Sequence, residues 1–134
     1  MKRIRILLVD DEKAFVDTLA RRLAMRKFDV EIAYDGAQAI QRLTERLKGK
    51  ESRPDVLVLD VKMPGMDGIE VLRWLRGVDT ALPVLIMSGY SSEKDEAEAA
   101  KLGVAEFLRK PPEFDHLIKC IARVCEKKSG EKEG

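Results

Sequence analysis

Histidine occurs once and cysteine twice in these 134 residues, and each scarcity removes a class of chemistry. His116 has no second ligand nearby and reads as an ordinary helix residue rather than a metal ligand. Cys120 and Cys125 sit five apart in a helical pattern, which places them on different sides of one helix. No CxxC is present and a bridge within one helix is geometrically poor, so both read as small buried hydrophobes. No apolar run approaches membrane-spanning length. The opening MKRIRILLVD has a basic start, but Asp10 and Asp11 cut its apolar part short and no small-residue cleavage site follows. A signal peptide is therefore not expected, and cytoplasm is the expected compartment. A charge excess of one sign is missing too: 25 lysines and arginines face 24 acids, for a formal charge of +1. That balance argues against a bulk electrostatic grip on nucleic acid or on an anionic membrane. Nor does a glycine-rich phosphate loop follow the first apolar run. Acids stand there instead and repel a phosphate unless a cation intervenes, which excludes a nucleotide- or flavin-binding module. GKES at 49–52 has the look of a P-loop end but lacks the earlier glycine and the preceding strand, so it reads as a surface loop.

What is present suits one globular domain. The apolar share is 45% and the charged share 37%, and the length is enough to bury a single core without disulfides or metal staples. Continuous apolar runs at 4–9, 30–33, 56–59, 84–87 and 104–108 have the length and Val/Ile/Leu content of strands covered on both faces. Amphipathic segments lie between them. Phe15, Leu19 and Leu23 recur every fourth residue; Ala37, Ile40, Leu43 and Leu47 follow the same helical rule, as do Ile69, Leu72 and Leu75. A weaker helix over 92–102 has mainly Ala97, Ala99 and Ala100 to bury, and the last, over 113–126, carries Leu117, Ile121, Val124 and Cys125. Five strands alternating with five helices predict an α/β fold, a doubly wound parallel sheet with right-handed crossovers and helices on both faces. The tail KKSGEKEG is low in complexity. We divide the chain into a domain over residues 1–127 and a flexible tail, or the start of a linker, over 128–134.

In open sheets of this kind ligands collect outside the carboxyl ends of the strands. The residues there are Asp10, Asp11 and Glu12 after the first strand, Asp60 in VLVLDVKMPGMDG, Ser88 in VLIMSGY and Lys110 in FLRKPP. Gathered carboxylates repel, and at least one pKa rises unless a cation compensates. A hard divalent ion takes oxygen ligands and is commonly held by one or two carboxylates. A lysine and a hydroxyl opposite it suit a tetrahedral anion, one supplying charge and the other a hydrogen bond. Together these groups describe phosphoryl transfer run by positioning and charge neutralisation, with a carboxylate as nucleophile. Asp60, ending the most apolar central strand, is the strongest candidate.

With VDDEK, LVLDVKMPGMDG, IMSGY and KLGVAEFLRKP in that order, the chain resembles a response-regulator receiver domain of two-component signalling over about residues 3–127. The resemblance implies a chemotaxis-regulator-like, flavodoxin-like fold: five parallel strands in the order 2-1-3-4-5 with five helices. It implies phosphorylation of Asp60 by a histidine kinase or phosphotransfer protein. It also implies Mg²⁺, with Mn²⁺ as a substitute, held by Asp10, Asp11, Asp60 and the main-chain carbonyl of Lys62. Ser88 and Lys110 would bind the phosphoryl group, and Phe107 matches the aromatic switch position, although plain core packing also accounts for it. The implied output is a small shift of the face made by the fourth helix, fifth strand and fifth helix, acting on an output protein or a fused effector domain, as a monomer or a phosphorylation-linked dimer. A cis Lys110–Pro111 bond is also implied.

Local chemistry agrees at several points. Pro64, Gly65 and Gly68 suit a tight loop, and Asp67 followed by Glu70 resembles a capping box. Lys62 and Tyr90, each two residues beyond a site residue, are expected to border the route of attacking water and to set the lifetime of the phosphoaspartate. Trp74 falls off the main stripe of its helix and serves either as a partner anchor or as packing at the helix edge. An aspartyl-phosphate hydrolase is the competing enzyme reading. It needs an acid two residues after the nucleophile, where this chain has Lys62. Regulation without turnover of an external substrate is the expectation, with no direct nucleic-acid or membrane contact.

Overall fold

The structure is a computed structural model and describes residues 3–89 and 92–133. Its elements alternate throughout: β1 (Arg5–Val9), α1 (Lys13–Met25), β2 (Asp29–Ala33), α2 (Gly36–Arg46), β3 (Val56–Asp60), α3 (Gly68–Val78), β4 (Val84–Ser88), α4 (Glu93–Leu102), β5 (Glu106–Arg109) and α5 (Phe114–Glu133). The strands form one parallel sheet in the order β2-β1-β3-β4-β5. The order in which the chain adds strands therefore reverses between β1 and β3, the position at which such sheets open a crevice.

The period of two along each strand sorts the core into two layers. Leu7, Val9, Leu57, Leu59, Val84 and Ile86 face α2 and α3, whose Leu43, Ile69, Leu72 and Leu75 complete that layer. Ile6, Leu8, Val56, Val58, Leu85 and Met87 face the other way, against Val16, Leu19 and Leu23 of α1 and Leu117, Cys120 and Ile121 of α5. All five residues of β3 and of β4 are buried, whereas the edge strands β2 and β5 are only partly covered. Each buried Leu or Ile contributes about 1.5–3 kcal/mol, so the central strands that end in Asp60 and Ser88 are firmly held.

Helix phases depart from the sequence pattern in places. In α2, Gly36, Ala39 and Leu43 are buried and Ala37 is exposed, because Asp35 caps the helix through the Gln38 N–H and fixes its start. In α4, Ala99 alone is buried, while Ala97 and Ala100 face outward. Phe15 is half-buried rather than part of the α1 core stripe, which runs through Val16 instead. Cys120 is buried and Cys125 half-buried, both as free thiols against the same layer.

Two glycines set the loop between β3 and α3. Gly65 adopts φ +76°, a left-handed conformation that costs glycine nothing. A Cβ on Gly68 would overlap the Asp60 carbonyl, so the helix start lies directly against the end of β3. The Gly68 N–H donates to the Val61 carbonyl at 2.8 Å, and Asp67 caps α3 by accepting from the Glu70 N–H. The reciprocal pair of bonds expected there is found at α4 instead, between Ser92 and Asp95.

Candidate functional site

Sheet topology brings the predicted residues to one edge. One carboxylate oxygen from each of Asp10, Asp11 and Asp60 lies within 4.8 Å of the others. Asp10 is fully buried and Asp60 is 2% exposed. The Glu12 N–H donates to Asp10 Oδ1 at 2.8 Å, which fixes the carboxylate as the chain leaves β1. Lys110 enters from beyond β5 through a cis Lys110–Pro111 bond, its N–H donating to the Ser88 carbonyl at 2.9 Å. Its ammonium lies 2.8 Å from Asp10 Oδ2 and 3.5 Å from Asp60 Oδ2, and it contacts Glu12 Oε1 and stands 4.9 Å from the centre of the Phe15 ring.

Electrostatics follow from this crowding. Burial pushes the Asp60 carboxyl up from 3.8 to about 7, with the Asp10 charge adding to the rise and Lys110 opposing it. Burial raises Asp10 as well, against the Lys110 contact and the Glu12 N–H. Lys110 is pulled down by burial, but its bonds to Asp10 and Glu12 outweigh that and hold it above its ordinary value. The site is therefore an acidic corner balanced by one embedded ammonium.

Among the described residues, two buried side-chain oxygens lack a hydrogen-bond partner: Asp10 Oδ2 and Ser88 Oγ. Lys110 neutralises the first by proximity, but its approach does not meet hydrogen-bond geometry. Buried oxygens without donors are costly. Oxygen-only ligands, three converging carboxylates and an orphaned carboxylate oxygen fit a hard divalent cation. The Ser88 hydroxyl stands at the end of β4 with no hydrogen-bond partner among the described residues.

Other predicted residues lie further out. Lys62 follows β3 with its side chain exposed and paired to Asp95 Oδ2 at 3.1 Å. Phe107 is half-buried against the layer that holds α3 and α4. Trp74 is half-buried on that same layer. Tyr90 lies outside the described residues. Glu12, Phe15 and Asp95 carry contacts that sequence reasoning did not assign. The run of three acids pointed to Glu12 without saying that it would hold Lys110, and nothing local marks Asp95 as the partner of Lys62.

A doubly wound α/β domain with an acidic corner and a lysine at its carboxyl edge is the class defined here. The chain belongs to the response-regulator receiver-domain family, whose model matches residues 6–122. Receiver domains of response regulators are regulatory modules of phosphorylation-dependent two-component signalling, and they generally bind Mg²⁺ at an acidic pocket. Among curated relatives, the response regulator MprA of Mycobacterium tuberculosis is 37% identical over 115 residues, covering 86% of this chain and 47% of that protein. MprA of Mycobacterium ulcerans is 36% identical over the same coverage. The chain thus spans about half the length of these relatives. The receiver domain of Francisella response regulator 1452 superposes with a TM-score of 0.82 at 28% identity, over 94% of this chain and 99% of that one. A CheY-like receiver domain from Methanospirillum hungatei shares the fold, with a TM-score of 0.86 at 24% identity over 99% and 100%. No helix among the described residues is long and apolar enough to cross a membrane.

Proposed function

We propose that Asp60 is the phosphoacceptor of a signalling switch, fed by a histidine kinase or phosphotransfer protein. A carboxylate oxygen of Asp60 attacks phosphorus, the phosphorus–nitrogen bond to the donor imidazole breaks, and the imidazole leaves with the bonding pair. The observation that supports this best is the burial of Asp60 beside Asp10, Asp11 and Lys110, at the end of a fully buried strand. Asp10, Asp11, Asp60 and the Lys62 carbonyl would hold Mg²⁺, or Mn²⁺ in its place, and the ion would neutralise charge on the transferring group. Lys110 pairs with a phosphoryl oxygen and Ser88 Oγ donates to another. Lys62 and Tyr90 border the attacking water and tune the lifetime of the acyl phosphate. Phe107 follows Ser88 inward, and the face of α4, β5 and α5 changes its affinity for an output protein or fused effector, with the protein a monomer or a phosphorylation-linked dimer. Residues 1–127 act as the receiver, with 128–134 a tail or the start of a linker.

Intact-mass measurement after incubation with a small-molecule phosphodonor and Mg²⁺ tests this. Wild type gains one phosphoryl group, Asp60→Asn gains none, and Lys110→Ala gains it slowly. A phosphorylated Asp60→Asn protein would refute the assignment, as would steady turnover of an external phosphate ester.

A further inference from the structure

The ion pair between Lys62 and Asp95 spans the gap from the loop after β3 to the first turn of α4. Its partners are unequal. Asp95 is the fixed member: the Ser92 N–H donates to its Oδ2, and its own N–H donates to Ser92 Oγ, completing the cap of α4. Its side chain is 19% exposed, against 54% for Lys62. Lys62 is a long arm rooted two residues beyond Asp60, in a loop whose end is fixed by the bond from Gly68 to Val61.

Helix α4 is otherwise thinly attached. Ala99, its single fully buried residue, supplies about one methyl of burial, and half-buried Leu102 packs on the core only at its C-terminal end. Cationic ties also reach it from Arg73 to Glu98 and from Arg76 to the carbonyls of Leu102 and Gly103. Both begin on α3. The tie through Lys62 begins two residues from Asp60.

We propose that Asp95 is a positioning residue that holds the Lys62 ammonium at α4, so that Asp95 and an anion on Asp60 compete for one cation. Occupancy of Asp60 then releases the N-terminal end of α4. This rests on the reading of Asp60 as the acceptor. Competition fixes the sign: whatever removes Asp95 strengthens the hold on the anion, and the anion weakens the hold on α4 by the same factor.

Beryllium trifluoride, an anion whose beryllium becomes tetrahedral when a carboxylate oxygen coordinates it, is the probe, titrated with Mg²⁺ and followed by fluorine NMR. Asp95→Asn keeps an acceptor for the Ser92 N–H and removes the charge. It should bind the anion about two- to fivefold more tightly than wild type, as the strength of an exposed ion pair allows. In a Lys62→Met background the same Asp95→Asn change should do nothing. Amide exchange in α4 should quicken when the anion is added to wild type and already be quick in Asp95→Asn. Unchanged affinity in Asp95→Asn, or a gain that survives in Lys62→Met, would overturn the proposal while leaving Asp60 as the acceptor. Failure of wild type to bind would overturn the Asp60 reading, and this proposal with it.

Discussion

Replacing Asp60 by asparagine should stabilise the protein in the absence of divalent cations, and the gain should depend on pH. The carboxyl titrates near 7 in the folded chain against an ordinary value of 3.8. Between those limits the folded state holds a proton that the unfolded state has released. Stability from this group therefore falls as pH rises from about 4 to about 7, then levels off. At about 1.4 kcal/mol per pKa unit, the full cost above neutrality is about 4 kcal/mol. That figure is already net of the attraction of Lys110, 3.5 Å from Asp60 Oδ2; asparagine keeps the shape and drops the charge, but its buried amide N–H groups need acceptors of their own. Roughly half of that cost, about 2 kcal/mol, should be recovered. For a chain of this length that is a rise in midpoint of roughly 6–10 °C. Urea unfolding in a metal chelator at pH 8 and at pH 5 is the assay. Asp60→Asn should be clearly the more stable at pH 8 and nearly equal to wild type at pH 5. Added Mg²⁺ should close the gap at pH 8 by binding the folded wild type. Equal stability at pH 8, or a difference independent of pH, would show that the buried carboxylate carries no such strain.

Two further substitutions address the frame around the site. Gly68→Ala drives a methyl into the Asp60 carbonyl; it should cost about 1–3 kcal/mol in urea unfolding and slow phosphoryl acceptance, and unaltered values would mean the loop yields freely. Arg76→Met removes a half-buried guanidinium that donates to the carbonyls of Leu82, Leu102 and Gly103 at 2.8, 2.8 and 2.7 Å. Hydrogen bonds from a charged donor support a loss of about 2 kcal/mol, with amide exchange quickened in α4 before the rest of the molecule. Exchange unchanged in α4 would refute its role as a clamp.

The layout of the sheet could be read from sequence because the signals there are coarse. Apolar runs that stop at a polar residue name both the strand and its functional end, and parallel topology then delivers Asp10, Asp60, Ser88 and Lys110 to one edge without further information. Helix phase was harder where alanine sits on more than one side. Ala37 and Ala39 are indistinguishable by hydropathy, and the Asp35 cap decides between them. Pairings made by flexible side chains were beyond reach. Glu12 meets Lys110 across 98 positions, and Lys62 meets Asp95 by the extension of an exposed arm. Both depend on rotamers that only the assembled fold selects.

Ser88 Oγ sits in the interior with no hydrogen-bond partner among the described residues, whereas Asp10 Oδ2 is met by the Lys110 ammonium at 2.8 Å. A search for heat-resistant variants would find position 88 early, since valine or alanine there would remove a buried hydroxyl without a partner. If the proposed switch uses that hydroxyl, such variants would endure longer and respond less. Robustness and responsiveness would then pull against each other at one atom, and selection for one alone would quietly erase the other.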